Sequence, residues 1–143
     1  MASVTIYLTF KGNCLKAFEF YKQVFGKDFA AISTFADMPP QEGMPPLTKE
    51  DLKRVMHITL PISGETVLMG SDGPSFMDDQ FVQGNNFSIS INTKDKAEAE
   101  AFFKTLSING KVTMPLATTF WNAYFGMLTD QFGINWMVNC DLS

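Results

Sequence analysis

Two segments of the chain alternate polar and apolar side chains in the manner of half-buried β-strands. Residues 5–9 alternate in this way, and residues 88–92 repeat the pattern 83 positions later. The sequence therefore predicts an internal repeat.

A helical pattern follows each of these segments. It covers about 14–25 in the first copy and about 96–108 in the second. Each helix is predicted to end near a glycine, Gly26 or Gly110, that suits a left-handed terminal conformation. Both copies therefore begin with a strand and a helix.

The two copies differ in length because the first contains an insertion. Residues 64–72 match residues 133–141 at a spacing of 69, whereas the helices match at a spacing of 82, so the first copy has 13 extra residues. Residues 37–51 contain four prolines and do not alternate, which predicts a long loop there. Thr48, followed by two acidic residues, predicts a short helix at the end of this loop.

The complete pattern predicts an α+β fold built from two tandem βαβββ modules. We expect one domain over 1–143, with module one at about 1–75, module two at about 85–143 and the long loop at about 37–51. Strands are predicted at 4–10, 28–35, 54–62 and 65–71 in module one, at 86–92, 111–117, 121–129 and 134–140 in module two, with a connection at 76–84.

Alternation also predicts which side chains share a face of the sheet. The face against the helices is predicted to carry Ile6, Leu8, Phe10, Val67, Met69, Phe87, Ile89, Ile91, Trp136 and Val138. The opposite face is predicted to carry Thr5, Tyr7, Thr9, Thr66, Leu68, Gly70, Ser88, Ser90, Asn92, Asn135, Met137 and Asn139. If the modules form a curved mixed sheet, this neutral second face lines a concave cup suited to a small molecule. A simple solvent-exposed polar face is the alternative.

Composition excludes several classes of function. The 143 residues include one histidine, His57, and one arginine, Arg54, and the net charge is −4. One histidine excludes a site that needs two imidazoles from one chain. Nucleic-acid binding is not expected, because it draws its affinity from many Lys and Arg contacts with phosphate.

The remaining composition predicts a protein of the cytoplasm. No apolar run reaches the roughly 18 residues of a membrane span, and the N-terminal residues lead into a strand without a signal-like segment. Cys14 and Cys140 are predicted to be reduced, partly buried thiols, with a disulfide as the alternative. Cys14 follows a predicted helix start, where the helix dipole could lower a thiol pKa, although a packing role is the simpler interpretation.

The chain resembles the vicinal oxygen chelate superfamily, which includes glyoxalase I, extradiol dioxygenases and bleomycin- and fosfomycin-resistance proteins. The two modules and the Asp130-x-x-Gly133 turn before the last strand support this resemblance. Within the superfamily the chain is similar to the PhnB-like branch, through segments 7–14, 17–21, 86–90, 119–130 and 136–139.

The resemblance implies positions for a divalent metal, held by one residue of the first and last strand of each module. These positions fall on Thr5, Leu68, Ser88 and Met137. Hydroxyl and thioether groups are weak donors for zinc, nickel, iron or manganese, so no cofactor is predicted and a divalent metal is disfavoured.

His57 is the remaining candidate for chemistry. It alternates with Met56 and Ile58 and shares a face with Thr59, which predicts the cup side. It could act as a general base or as a hydrogen-bonding group for a ligand, and a neutral histidine satisfied by a neighbouring hydroxyl is the alternative. Its counterpart in the repeat is predicted to be Gly126.

Other side chains complete the predicted site. The predicted ligand-binding residues are Thr5, Tyr7, His57, Leu68, Ser88, Ser90, Trp121, Tyr124 and Met137. Core packing is the alternative for Trp121. The acidic residues Asp72, Asp78 and Asp79 near the connection are predicted to be solvated.

The predicted function is small-molecule binding of the PhnB-like type without the usual metal site. The alternative is a lyase, isomerase or dioxygenase-like enzyme that uses an unusual ligand set or His57. Methyl transfer is discounted because no glycine-rich nucleotide loop follows the first strand. The resemblance also implies a homodimer.

Overall fold

The computed structural model describes residues 2–39 and 41–143 and divides the chain into two compact units, Met1–Phe81 (unit one) and Val82–Ser143 (unit two). Each unit contains four strands in one sheet, which confirms the α+β class and the two βαβββ modules. The strands are β1 Ile6–Phe10, β2 Ala31–Thr34, β3 Val55–Pro61, β4 Val67–Asp72, β5 Ile89–Asn92, β6 Lys111–Thr118, β7 Ala123–Thr129 and β8 Asn135–Asp141; the α-helices are α1 Cys14–Phe25, α2 Lys49–Lys53 and α3 Lys96–Leu106.

The two sheets share one topology. Their strand orders are β1-β4-β3-β2 and β5-β8-β7-β6, and in each the first and last strands of the unit are parallel neighbours. The other neighbouring strands are antiparallel, so both sheets are mixed. In unit one α1 packs on β3 and β4, and in unit two α3 packs on β7 and β8.

Helix α1 has the predicted bounds and buries one apolar stripe. Its buried residues, Cys14, Ala17, Phe18, Tyr21 and Val24, recur at helical spacing. The helix ends at Gly26, which adopts φ +62 as predicted and donates its N–H to the carbonyl of Lys22.

The end of helix α3 differs from the prediction. Gly110 does not have the predicted left-handed conformation, and Asn109 instead adopts φ +57. The start of α3 is conventional, because the side chain of Asp95 accepts the backbone N–H of Glu98.

The insertion of unit one ends in the predicted short helix. The Thr48 hydroxyl accepts the N–H of Asp51, and the Asp51 carboxylate accepts the N–H of Thr48, which together form a capping box at the start of α2. A 3₁₀ turn over Phe35–Asp37 precedes the loop, and Pro40 of the predicted loop lies outside the described residues. Of the helices in the described residues, none is long and apolar enough to cross a membrane.

Candidate functional site

The open face of each sheet, meaning the face opposite its helix, is defined by the strand register. In unit one the cross-strand row Ala31, Thr59, Met69 and Tyr7 lies on this face. In unit two the corresponding row is Met114, Met127, Met137 and Ser90. Each row brings together side chains that are far apart in the sequence.

Tyr7 and His57 form an aromatic pair on the open face of unit one. Their ring centroids are 6.0 Å apart and the rings are tilted by 32°. His57 Nε2 lies 3.0 Å from the hydroxyl of Thr59, and Tyr7 is 49% exposed. This confirms that His57 and Thr59 share a face, and it matches the alternative in which a hydroxyl satisfies the imidazole. This contact uses Nε2, so Nδ1 of the half-buried ring can form one further hydrogen bond.

The predicted faces of β4 are wrong. Leu68 is fully buried, and a Cβ on Gly70 would lie 2.6 Å from Phe18 of α1, so these residues face the helix. Val67 and Met69 therefore belong to the open face. The role of Leu68 in ligand binding was predicted from a face that it does not occupy.

The error in β4 comes from the match between two glycines. Ile6 pairs with Leu68 and Ile89 pairs with Trp136, so the last strands of the units correspond at a spacing of 68, not 69. The sequence match predicts that Gly64 and Gly133 are equivalent, but Gly133 adopts φ +83 and Gly64 has no positive φ. They occupy different positions in their turns. The structural counterpart of Met137 is therefore Met69.

The same correction moves the counterpart of the histidine. Gly126 pairs with Val138 and Ile58 pairs with Gly70, which makes Ile58 the equivalent of Gly126. The counterpart of His57 is then Phe125, an aromatic residue on the open face of unit two.

Two predicted aromatic site residues have positions that differ from the prediction. Tyr124 faces α3, where its hydroxyl donates to Glu100 at 3.0 Å and the ammonium of Lys96 lies 4.8 Å from its ring centre. This hydrogen bond to a carboxylate raises the pKa of Tyr124. Trp121 lies in the β6–β7 turn, not on a strand, and is 54% exposed, so it is not a core residue. Its ring centre lies 5.9 Å from that of Phe125.

The other predicted site residues of unit two and the first strands lie on their predicted strands or one residue before them. Ser90 and Met137 pair directly on the open face of unit two. Thr5 and Ser88 are exposed and each precedes its strand by one residue. Phe87, predicted to face the helix, is 57% exposed and also precedes β5. The prediction that both open faces line one cup stays a prediction.

The donor groups do not suit a hard divalent metal. With the corrected register, Met69 and Met137 stand at the last-strand positions, beside Tyr7 and Ser90 on the first strands. Thioether and neutral hydroxyl groups are poor ligands for zinc, iron or manganese. Among residues 2–39 and 41–143, no three His, Cys, Asp or Glu side chains are placed to hold a metal ion.

A buried carboxylate at the end of β4 organises one edge of unit one. Asp72 was predicted to be solvated but is only 3% exposed. One oxygen accepts the N–H groups of Gly12 and Cys14, at 2.8 and 3.0 Å, and the other accepts the N–H of Val55 at 3.0 Å. Asp72 therefore caps α1, whose own N-cap residue, Asn13, makes no side-chain capping bond within the described chain.

The single arginine stabilises the same edge. Arg54 donates two hydrogen bonds to Asp78, at 2.9 and 3.1 Å, and one to the carbonyl of Gly73. The hydrogen bond with Asp78 raises the pKa of Arg54 and lowers the pKa of Asp78. The prediction of a solvated acid is therefore wrong for Asp78 too, whereas Asp79 is exposed as predicted.

Asp51 gives this edge a dependence on pH. Burial raises the pKa of its carboxyl, but hydrogen bonds donated by Thr48 and Ser75 outweigh burial and bring the pKa of Asp51 to about 2. The folded-state pKa lies below that of the unfolded chain, so the carboxylate stabilises the fold above about pH 4, and this stabilisation is lost as the pH falls through about 2. We expect the stability difference between wild type and Asp51→Asn, measured by urea unfolding, to shrink between about pH 5 and pH 2. A constant difference would contradict this assignment.

The two cysteines are free and buried, as predicted. Burial raises the pKa of the Cys14 thiol and the charge of Asp72 raises it further, so the helix dipole does not activate it. We expect neither thiol to react with Ellman's reagent in the native protein within minutes, and both to react in concentrated urea. If one thiol reacts rapidly in the native protein and this reaction is lost in Cys14→Ala, Cys14 is accessible and the assignment is wrong.

Comparison with known proteins agrees with the fold of the two units. The structure of protein PA1353 from Pseudomonas aeruginosa is 41% identical, with a TM-score of 0.82 over 99% of this chain and 98% of that one. A PhnB protein from Bacillus cereus is 23% identical, with a TM-score of 0.76 over 97% and 99%. A glyoxalase/bleomycin resistance protein/dioxygenase family enzyme from Burkholderia phytofirmans is 13% identical, with a TM-score of 0.65 over 96% and 97%.

These likenesses place the fold in the vicinal oxygen chelate class. The sequence profile of the family described as 3-demethylubiquinone-9 3-methyltransferase matches residues 2–139. The chain belongs to this family, the PhnB-like branch of the vicinal oxygen chelate superfamily, and the resemblance seen in its sequence is confirmed.

Proposed function

We propose that this protein binds a small, neutral, partly aromatic molecule on the open face of unit one, without the metal chelate of its superfamily. The observation that carries the proposal is the Tyr7–His57 pair, with ring centres 6.0 Å apart and the imidazole held by Thr59 at 3.0 Å. Aromatic surface beside a few placed polar groups is typical of small-molecule sites.

The chemistry of this face favours a ligand without strong charge. Tyr7 and His57 offer ring surfaces, and Met69 lies beside Tyr7 in the same row. A thioether next to an aromatic ring adapts to the shape of a flat ligand. The hydroxyl and imidazole groups then select for hydrogen-bonding substituents on the ligand.

A ligand screen tests this proposal. We expect neutral aromatic metabolites or antibiotics, added singly to the untagged protein, to raise its melting temperature, and native mass spectrometry to show one molecule bound. Thr59→Val removes only the hydroxyl that orients His57 and should weaken binding by about ten-fold. Thr113→Val, on the exposed edge strand β6, is the matched control and should bind like the wild type.

Two results would overturn the proposal. One is a broad panel in which no compound binds, and the other is a stoichiometric divalent metal in the untagged protein by inductively coupled plasma analysis. The panel includes S-adenosylmethionine, because the family description names methyl transfer. Binding of that compound would favour a methyltransferase.

His57 supports a second candidate, an enzyme that uses the imidazole as general base. The half-buried ring and its contact with Thr59 favour this alternative, because a fixed imidazole can take a proton from a bound substrate. Conversion of a bound compound by the wild type but not by His57→Gln would establish it. If the wild type and His57→Gln both bind the compound and neither converts it, the protein is a binding protein and not an enzyme for that compound.

We propose further that the protein is a cytoplasmic homodimer. Its two buried cysteines remain free, which suits a reducing compartment. Exposed apolar side chains such as Phe87, Phe120 and Trp121 provide surface that a second copy could cover. A monomeric mass by light scattering would exclude the dimer.

A further inference from the structure

Three neighbouring strands of unit two each place a methionine in one row. Met127 of β7 pairs with Met114 of β6 on one side and with Met137 of β8 on the other. Three of the nine methionines in the sequence therefore stand opposite one another across the sheet, and Met127 and Met137 lie on its open face. Met114 is 45% exposed and the other two are half-buried, so solvent reaches the row.

The spacing of this row suits a shared ligand. Directly paired residues on a regular antiparallel ladder, such as Met127 and Met137, have Cα atoms about 4.5–5.5 Å apart and side chains on the same face. Met114 stands opposite Met127 at a point where the β6–β7 register shifts on both sides of it, so β6 bulges around this pair. Methionine has three rotatable bonds, so sulfurs on both sides of Met127 can bend towards a point above it. Strand propensity does not explain these three methionines, because β-branched and aromatic residues are the ones enriched in strands.

Apart from the Ser90 hydroxyl, which ends the row beside Met137, the side-chain oxygen donors next to the row are paired with one another. The Thr129 hydroxyl donates to the side-chain oxygen of Asn135 at 2.7 Å. The amide of Asn139 donates to the side-chain oxygen of Asn92 at 3.2 Å. The thioethers are therefore the principal donors that the face offers to an ion.

Thioether sulfur is a soft donor, and a neutral donor set adds no negative charge. Both properties favour a soft monovalent cation over zinc, iron, manganese or magnesium. The equivalent row of unit one contains a single methionine, Met69, beside Thr59 and Tyr7, so this property belongs to unit two.

We propose that unit two binds one soft monovalent cation, copper(I) or its analogue silver(I), through the sulfurs of Met114, Met127 and Met137. This site is independent of the small-molecule site proposed on unit one.

Nuclear magnetic resonance of the full chain with ¹³C-labelled methionine methyl groups tests the site. Silver(I) nitrate is titrated in chloride-free buffer, and single Met→Leu variants assign the signals. We expect the methyl signals of Met114, Met127 and Met137 to shift together along one binding curve. The signal of Met77, which is 44% exposed and lies in unit one, should not move over that range. Silver bound by the cysteine thiols cannot produce this pattern, because the signals report on methionine.

Met127→Leu is the decisive variant. It keeps the apolar volume and removes the central sulfur, so the silver affinity of the other two methionines should fall by at least about ten-fold. Met77→Leu is the matched control and should leave the curve unchanged. If circular dichroism shows that Met127→Leu is unfolded, Met114→Leu at the more exposed position replaces it.

Three outcomes would overturn the proposal. They are separate binding curves for the three signals, an equal shift of Met77, and an equal response to zinc(II).

Discussion

Asp72→Asn is expected to lower the free energy of unfolding by about 3 kcal/mol. Asp72 accepts three backbone N–H groups, from Gly12, Cys14 and Val55, and is almost fully buried. Asparagine has nearly the same shape, but its NH₂ group donates and cannot accept. At least one buried N–H therefore loses its partner, and the charge that strengthens the remaining bonds is lost. Urea unfolding followed by circular dichroism measures the change.

Asp79→Asn is the matched control for this variant, since Asp79 is exposed in the neighbouring 3₁₀ turn. Its stability should remain within about 0.5 kcal/mol of the wild type. If both variants lose the same small amount, Asp72 does not contribute to stability through its three bonds. Retention of full stability by Asp72→Asn would show that the cap of α1 is dispensable.

Gly70→Ala is the second substitution with a large expected effect. An added Cβ would lie 2.6 Å from Cε1 of Phe18 and 2.8 Å from the carbonyl oxygen of Leu8. Phe18 is fully buried in the interface between α1 and the sheet, and the oxygen belongs to the backbone of β1, so neither atom can withdraw without moving its element. We expect a loss of about 3 kcal/mol in the free energy of unfolding, at the upper end of the usual cost of overpacking.

Gly64→Ala tests whether that loss is specific to the close approach. Apart from its two chain neighbours, no residue of the described chain has an atom within 4 Å of the position where its Cβ would stand, and its φ is not positive. Alanine there should be neutral or stabilising by up to about 1 kcal/mol, because it restricts the unfolded chain. Equal losses in both variants would show that the cost is a general effect of replacing glycine.

The repeat, the helix positions and the insertion could be predicted from the sequence because each depends on local periodicity. Helix α1 begins and ends as predicted, and Thr48 caps α2 as predicted. The strand directions and the neighbours of each strand were not predicted, because local alternation carries no information about which strands pair. The register of β4 was predicted wrongly for the same kind of reason. Gly64 and Gly133 occupy different positions in their turns, and a shift of one residue reverses the faces of a strand.

The candidate site was predicted only in part. His57, Tyr7 and Thr59 share a face, as alternation along β1 and β3 indicated. Tyr124 was misplaced because its aromatic ring suggested a ligand contact, whereas its strand position directs it to Glu100 on α3. The methionine row of unit two could not be seen in the sequence, since it depends on the registers of three strands at once.

The sequence by itself determined the family, the two βαβββ modules and the absence of a second imidazole on the chain. These features follow from residue identity and from periodicities of two or about 3.6 residues, which are local properties. Only the tertiary structure decided that Asp72 caps a helix 58 residues away and that Met69, not Leu68, lies beside Tyr7. Hydrogen bonds between distant segments and strand register are set by packing of the whole unit, and a one-residue change in register moves a side chain from the core to the open face.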